Sequence, residues 1–89
     1  MGALDLTIIS RSGCHLCDEA EDALARVVGR FGAEHPDTPY VINRLDVDSD
    51  PELLAKYSDE VPVLLLNGKQ LAFWRIDEDR VYGAMEALL

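Results

Sequence analysis

Two cysteines stand three positions apart in Arg11-Ser12-Gly13-Cys14-His15-Leu16-Cys17-Asp18, and the chain has no others. Residues at i and i+3 are neighbours on one face of a helix, and their Cα atoms then lie within the range a disulfide tolerates. Such a pair suits three uses: a redox-active dithiol, two soft ligands of a metal, or a structural crosslink. A cysteine at a helix N-terminus meets amides that lack intrahelical partners, and these together with the macrodipole favour a thiolate. The thiolate is the attacking species in disulfide exchange. Cys14 is therefore the candidate nucleophile, and Cys17, one turn deeper, the thiol that resolves the mixed disulfide. Arg11 and a charged His15 would favour the thiolate, while Asp18 and Glu19 oppose it.

The rival chemistries have less to stand on. A structural crosslink here would close a very short loop and add little stability. A structural zinc site needs four ligands, usually two such pairs, and only Cys14, Cys17, His15 and His35 could contribute. Two thiolates suit Cu(I), but copper-carrying CxxC modules follow the first helix with a two-stranded hairpin, and this chain reads otherwise. Asp46, Asp48 and Asp50 mimic the start of a calcium loop, which then needs Gly at its sixth position and Glu at its twelfth; Pro51 and Tyr57 stand there. These acids read instead as strand-end and helix-cap groups. No metal site is expected.

The elements that must position the pair follow from periodicity. Leu4 to Ser10 reads as a buried strand, and Arg11-Ser12-Gly13 as a turn. Apolar residues at Leu16, Ala20, Ala23, Leu24, Val27, Val28 and Phe31 predict a helix with one buried face, stopping at Gly32. A loop containing an inert His35 leads to a second strand, Tyr40 to Val47. A short helix from Asp50 to about Ser58 has two candidate caps, Ser49 with Glu52 or Asp50 with Pro51. Val61 to Leu66 reads as a third strand. Asn67-Gly68 is a strong hairpin signal, returning a fourth strand over Leu71 to Trp74. Asp77 then caps a last helix bearing Val81, Ala84, Met85 and Leu88. Phe73 and Trp74 read as packing on the hairpin, with one ring at the rim of the site. The order β-α-β-α-β-β-α, with CxxC between the first strand and first helix, predicts a four-stranded mixed sheet between helices.

Composition bounds the rest. The chain has 89 residues, 48% apolar and 28% charged, which suits one small globular domain over 1–89. Its formal charge of −9 is wrong for binding phosphate backbones, so no nucleic-acid partner is expected. No apolar run is long enough for a membrane span. The start lacks a basic n-region, and Leu6 stands where N-myristoylation of Gly2 wants Ser or Thr. The expected location is the cytoplasm, where static disulfides are rare and a CxxC pair is more often reactive.

Cys14-His15-Leu16-Cys17 after the first strand, Val61-Pro62 at the third, Asn67-Gly68 and the acidic-capped last helix together resemble the glutaredoxin branch of the thioredoxin fold. The stretches SRSGCHLCDEA and VPVLLLNG are most similar to the small bacterial glutaredoxin-like proteins. The resemblance covers nearly the whole chain and implies a three-layer α/β/α domain acting as a monomeric thiol-disulfide oxidoreductase. It implies a cis Pro62 opposite the cysteines, with the Val61 main chain pairing an extended substrate. Substrate contacts would come from Arg11, His15, Leu16, Val61, Pro62 and Asp77. The substrate would be a protein or small-molecule disulfide and the reductant glutathione or a flavoprotein reductase, with glutathione a cosubstrate and no cofactor bound. The chain departs from the family where glutaredoxins carry Pro-Tyr between the cysteines and Gly-Gly before the last helix; it has His15-Leu16 and Trp74-Arg75. The competing class is a binding module of the same fold, with little turnover, holding a partner or a metal through Cys14.

Overall fold

The computed structural model describes residues 3–89. Met1 and Gly2, which open the expected 1–89 domain, lie outside the described residues, and so does the lipidation reading at Gly2. Strand β1 (Leu4–Ser10) leads to helix α1 (His15–Glu34), strand β2 (Tyr40–Asp46), a 3-10 turn (Val47–Ser49) and helix α2 (Pro51–Tyr57). Strands β3 (Val63–Leu66) and β4 (Lys69–Phe73) and helix α3 (Glu78–Glu86) complete the order β-α-β-α-β-β-α. The strands form one mixed sheet in the order β2-β1-β3-β4. β1 runs parallel to β2, with Leu4 opposite Tyr40 and Ser10 opposite Asp46, and antiparallel to β3, with Ile9 opposite Val63. The helix between β2 and β3 separates this order from that of the copper modules.

The side-chain period of β1 decides which helix covers which face. Leu4, Leu6 and Ile8 point to one face, where they pack with Ala20, Leu24, Val27, Val28 and Phe31 of α1 and Val81, Tyr82 and Met85 of α3. On the other face only Ile9, near the strand's end, is buried, with Val47, Tyr57 and Val63. A seven-residue α2 covers that end alone and leaves Asp5 exposed at the other. The result is a three-layer α/β/α arrangement whose second apolar cluster lies under the C-terminal end of β1, next to the cysteines.

Four element boundaries differ from the sequence reading. Helix α1 runs past Gly32 to Glu34. Arg30 Nε pairs with Glu34 Oε1 at 3.0 Å, the Tyr82 hydroxyl donates to Glu34, and the His35 N–H closes on the Phe31 carbonyl at 2.8 Å. These contacts outweigh the cost of about 1 kcal/mol for a glycine inside a helix. Strand β2 ends at Asp46, because Val47 turns inward with the 3-10 segment. Strand β3 begins at Val63 rather than Val61, because Pro62 has no N–H to give a ladder. Strand β4 spans Lys69–Phe73 rather than Leu71–Trp74. The two-residue turn at Asn67 (φ 51°) and Gly68 (φ 80°) restarts pairing at once, and a bulge between Leu64 and Leu65 takes up the extra residue.

Of the two candidate caps for α2, Asp50 with Pro51 is the one used. The Asp50 carboxylate accepts from the Glu52 N–H at 2.8 Å. Ser49 instead donates its hydroxyl to the Asp46 carbonyl at 2.7 Å.

Candidate redox site

Gly13 sits at φ 72°, with open space where a side chain would be. The left-handed turn comes at no steric cost only with glycine, and it swings the chain from β1 into α1. Cys14 then becomes the N-cap of α1 in an extended conformation (φ −97°, ψ 114°). Its carbonyl accepts the first helical bond, from Asp18 N–H at 3.2 Å. Its sulfur accepts the Cys17 N–H at 3.1 Å, the place a Ser or Asp side chain takes in an ordinary cap. The two cysteines are joined as a disulfide with Cα atoms 5.2 Å apart.

Burial makes the two sulfurs unequal. Cys17 is 3% exposed, whereas Cys14 is only half-buried at the mouth of the turn. In the reduced state a thiolate on Cys14 keeps a main-chain donor and the positive end of a 20-residue helix. A thiolate on Cys17 would lose solvation. The arrangement therefore favours attack at Cys14 and leaves Cys17 positioned behind it.

The structure disperses the other expected residues around this pair. His15, the first residue of α1, is almost fully exposed, with Nε2 3.8 Å from Glu19 Oε1. Leu16 is half-buried and lines a shallow hollow of about 380 Å³ with Phe73, Trp74 and Arg75. Arg11 turns toward the other side. Its Nε and Nη2 hold the two Asp48 carboxylate oxygens at 2.9 and 3.2 Å, and it reaches the Ser58 carbonyl and hydroxyl at 3.5 and 3.4 Å. The hydrogen bond to Asp48 raises the Arg11 pKa further above its ordinary value. Arg11 thus ties the turn before the cysteines to the 3-10 segment and the end of α2.

The Val61–Pro62 peptide is cis, as the resemblance implied. Pro62 is buried, and Val61 packs at the edge of the cluster of Ile9, Val47, Tyr57 and Val63. Among the described residues the Val61 main chain has no backbone hydrogen-bond partner. Asp77 is the N-cap of α3, accepting from Arg80 N–H at 3.2 Å. It lines a neighbouring hollow that shares Phe73 and Arg75 with the one beside Leu16. Asp46 and Asp50 are occupied as caps and Asp48 by Arg11, in keeping with strand-end and cap chemistry.

Trp74 is the residue whose part the sequence reading understated. Its backbone is left-handed (φ 62°), a conformation that costs a non-glycine residue about 1–2 kcal/mol. Three hydrogen bonds hold it to the segment before β3. Its main-chain N–H faces the Pro62 carbonyl at 2.9 Å and the Glu60 carbonyl at 3.3 Å, and its indole N–H donates to the Asp59 carbonyl at 2.9 Å. The available signal was its position between the hairpin and the Asp77 cap, where glutaredoxins carry glycine. His35 is also more than an inert loop residue. It caps the C-terminus of α1, lies 3.2 Å from Glu86, and packs its ring at a tilt against Phe31, with centroids 4.8 Å apart. A helix of this length separates it from Cys14 by about 30 Å at 1.5 Å per residue, so the two cannot share an ion.

Fold and site together define a thioredoxin-fold protein whose CxxC pair caps its first helix. The family model of the Glutaredoxin-like domain (DUF836) matches residues 5–86, and the chain belongs to that family. A protein of Xanthomonas campestris known by crystal structure is 31% identical, with a TM-score of 0.71 over 92% of this chain and 96% of that one. A protein of Nitrosomonas europaea, solved in solution, is 29% identical, with a TM-score of 0.70 over 96% of this chain and 93% of its own. A glutaredoxin-like protein of Dictyostelium discoideum is 27% identical over 98% of this chain and 80% of its own length. The germline thioredoxin Deadhead of Drosophila melanogaster, 23% identical with a TM-score of 0.61 over 98% of this chain and 82% of that one, shares the fold. Among the described residues no helix is long and apolar enough to cross a membrane.

Proposed function

We propose that the chain is a dithiol thiol-disulfide oxidoreductase. The observation that carries this reading is the Cys17 N–H donated to the Cys14 sulfur at the helix cap, with Cys17 buried behind it. The Cys14 thiolate attacks one sulfur of a substrate disulfide, forming a Cys14–substrate disulfide and releasing the other substrate sulfur as a thiolate. Cys17, deprotonated, attacks the Cys14 sulfur and releases the second substrate thiolate, which takes up a proton. Two electrons have then passed to the substrate, and the chain holds the Cys14–Cys17 disulfide. A thiol reductant, glutathione or the dithiol of a flavoprotein reductase, returns it to the dithiol. The unpaired main chain of Val61 beside Pro62 supports pairing with an extended substrate. The reading suits the cytoplasm, where a reducing poise regenerates the dithiol.

The test is turnover of a disulfide substrate by wild type, Cys14→Ser and Cys17→Ser. Loss in Cys14→Ser is expected. Wild-type rates in both variants would sink the proposal.

A further inference from the structure

We propose that this site prefers a disulfide carried on an extended polypeptide, with an apolar residue beside its cysteine, over glutathione disulfide, and that Trp74 sets the preference. The inference rests on the redox reading above and adds the class of substrate. Three observations carry it.

The first is the strained conformation of Trp74. A non-glycine residue persists in the left-handed region only where its surroundings over-determine it, and such strain clusters at functional sites. Here the bonds to Asp59, Glu60 and Pro62 supply that support. They consume the one polar atom of the indole, and the residue stays 52% exposed. What Trp74 presents outward is an apolar face with no hydrogen bond left to give.

The second is continuity with the reacting sulfurs. Leu16, directly before Cys17, forms one wall of the hollow, and Phe73, Trp74 and Arg75 form the others. Trp74 is bonded to the carbonyl of Pro62, next to the unpaired main chain of Val61. A segment lying along Val61 with its sulfur at Cys14 would run a neighbouring side chain over Leu16 and Trp74. Aromatic anchors in such positions dominate recognition of polypeptide segments.

The third is charge. Glutathione brings two carboxylates and one ammonium. Arg11 is committed to Asp48, and the Asp77 carboxylate to its own helix. Arg75 is the cation left at the hollow, and it lies 3.8 Å from Glu19. Asp18, Glu19 and Asp59 are exposed nearby, on a chain of formal charge −9. An anionic tripeptide is disfavoured in that field, whereas a neutral or basic segment is favoured.

The experiment measures the second-order rate at which the reduced protein is oxidised by two probes: glutathione disulfide, and the symmetric disulfide of an extended peptide with Phe and Lys flanking its cysteine. Wild type is expected to favour the peptide by about tenfold or more, the scale of one aromatic anchor. Trp74→Ala is expected to shrink the ratio of the two rates by about tenfold, and Trp74→Phe, which keeps a ring but loses the bond to Asp59, to retain most of it. A ratio is insensitive to a general loss of folded protein, which lowers both rates together. Glutathione disulfide reacting as fast as the peptide, or a ratio unmoved by Trp74→Ala, overturns the inference and leaves the redox reading standing. Inertness toward both probes overturns both.

Discussion

The Cys17 main-chain N–H donates to the Cys14 sulfur across 3.1 Å, so the atom that caps helix α1 is the one the proposed mechanism uses to attack. The donor belongs to the backbone of Cys17, the proposed resolving residue. One turn of helix therefore sets both the electrostatics of the first sulfur and the distance to the second.

The first consequence concerns the reactivity of Cys14. The cap bond and the helix terminus favour the thiolate of reduced Cys14. The pH dependence of alkylation of the reduced protein measures it. Cys14 should be modified first, with a midpoint on the acid side of free cysteine, and Cys17 slowly throughout. Alkylation of Cys17 ahead of Cys14 would contradict the geometry.

A second consequence concerns the far end of α1. Burial, reinforced by the hydrogen bond to Glu34, pushes the Tyr82 pKa up to about 12. A folded-state pKa above that of the unfolded chain means that the folded protein binds the proton more tightly. That contribution is complete below the unfolded tyrosine value of about 10 and is lost as pH rises through the folded one. Urea unfolding followed from about pH 9 to about pH 12, from below the unfolded tyrosine value up to the folded one, should show wild type losing stability that Tyr82→Phe does not lose. Parallel curves for the two proteins would remove this account.

The caps give a third. Asp77→Ala should cost about 1 kcal/mol of stability, while Asp77→Asn, which caps equally well, should cost only a few tenths. Equal losses in urea melts would mean that the Asp77 charge, rather than its hydrogen bond to Arg80, is what matters.

Core packing gives a fourth. Leu24 is 1% exposed, between α1 and the sheet. Leu24→Ala should cost about 2–5 kcal/mol. The half-exposed Leu45 on the edge strand β2 should tolerate alanine within about 0.5 kcal/mol. Similar costs at both positions would misplace the core.

Most of this architecture was legible in the sequence because local rules and tertiary packing agree. The alternation through Leu4, Leu6 and Ile8, the helical spacing from Leu16 to Phe31, and the turn at Asn67-Gly68 each point to the element that forms. The reading failed where distant partners decide. Gly32 looked like a stop, but Arg30 and Tyr82 hold Glu34 and carry the helix through. The sequence does not show that Arg11, expected to favour the Cys14 thiolate, has a carboxylate partner 37 positions along the chain at Asp48. The cysteine pair could be placed from its spacing and its strand-turn-helix setting. Trp74 could not, because its conformation depends on carbonyls of Asp59, Glu60 and Pro62 that only the folded sheet brings near.

The division of labour between the two cysteines is tested most directly by trapping. Reduced Cys17→Ser and Cys14→Ser proteins, each mixed with a disulfide substrate, are quenched with acid and their masses measured. Cys17→Ser should accumulate a one-to-one mixed disulfide on Cys14, with no second thiol to release it, while Cys14→Ser should remain unmodified on the same timescale. Accumulation on Cys17 in the Cys14→Ser protein, with none on Cys14 in the other, would contradict the assignment.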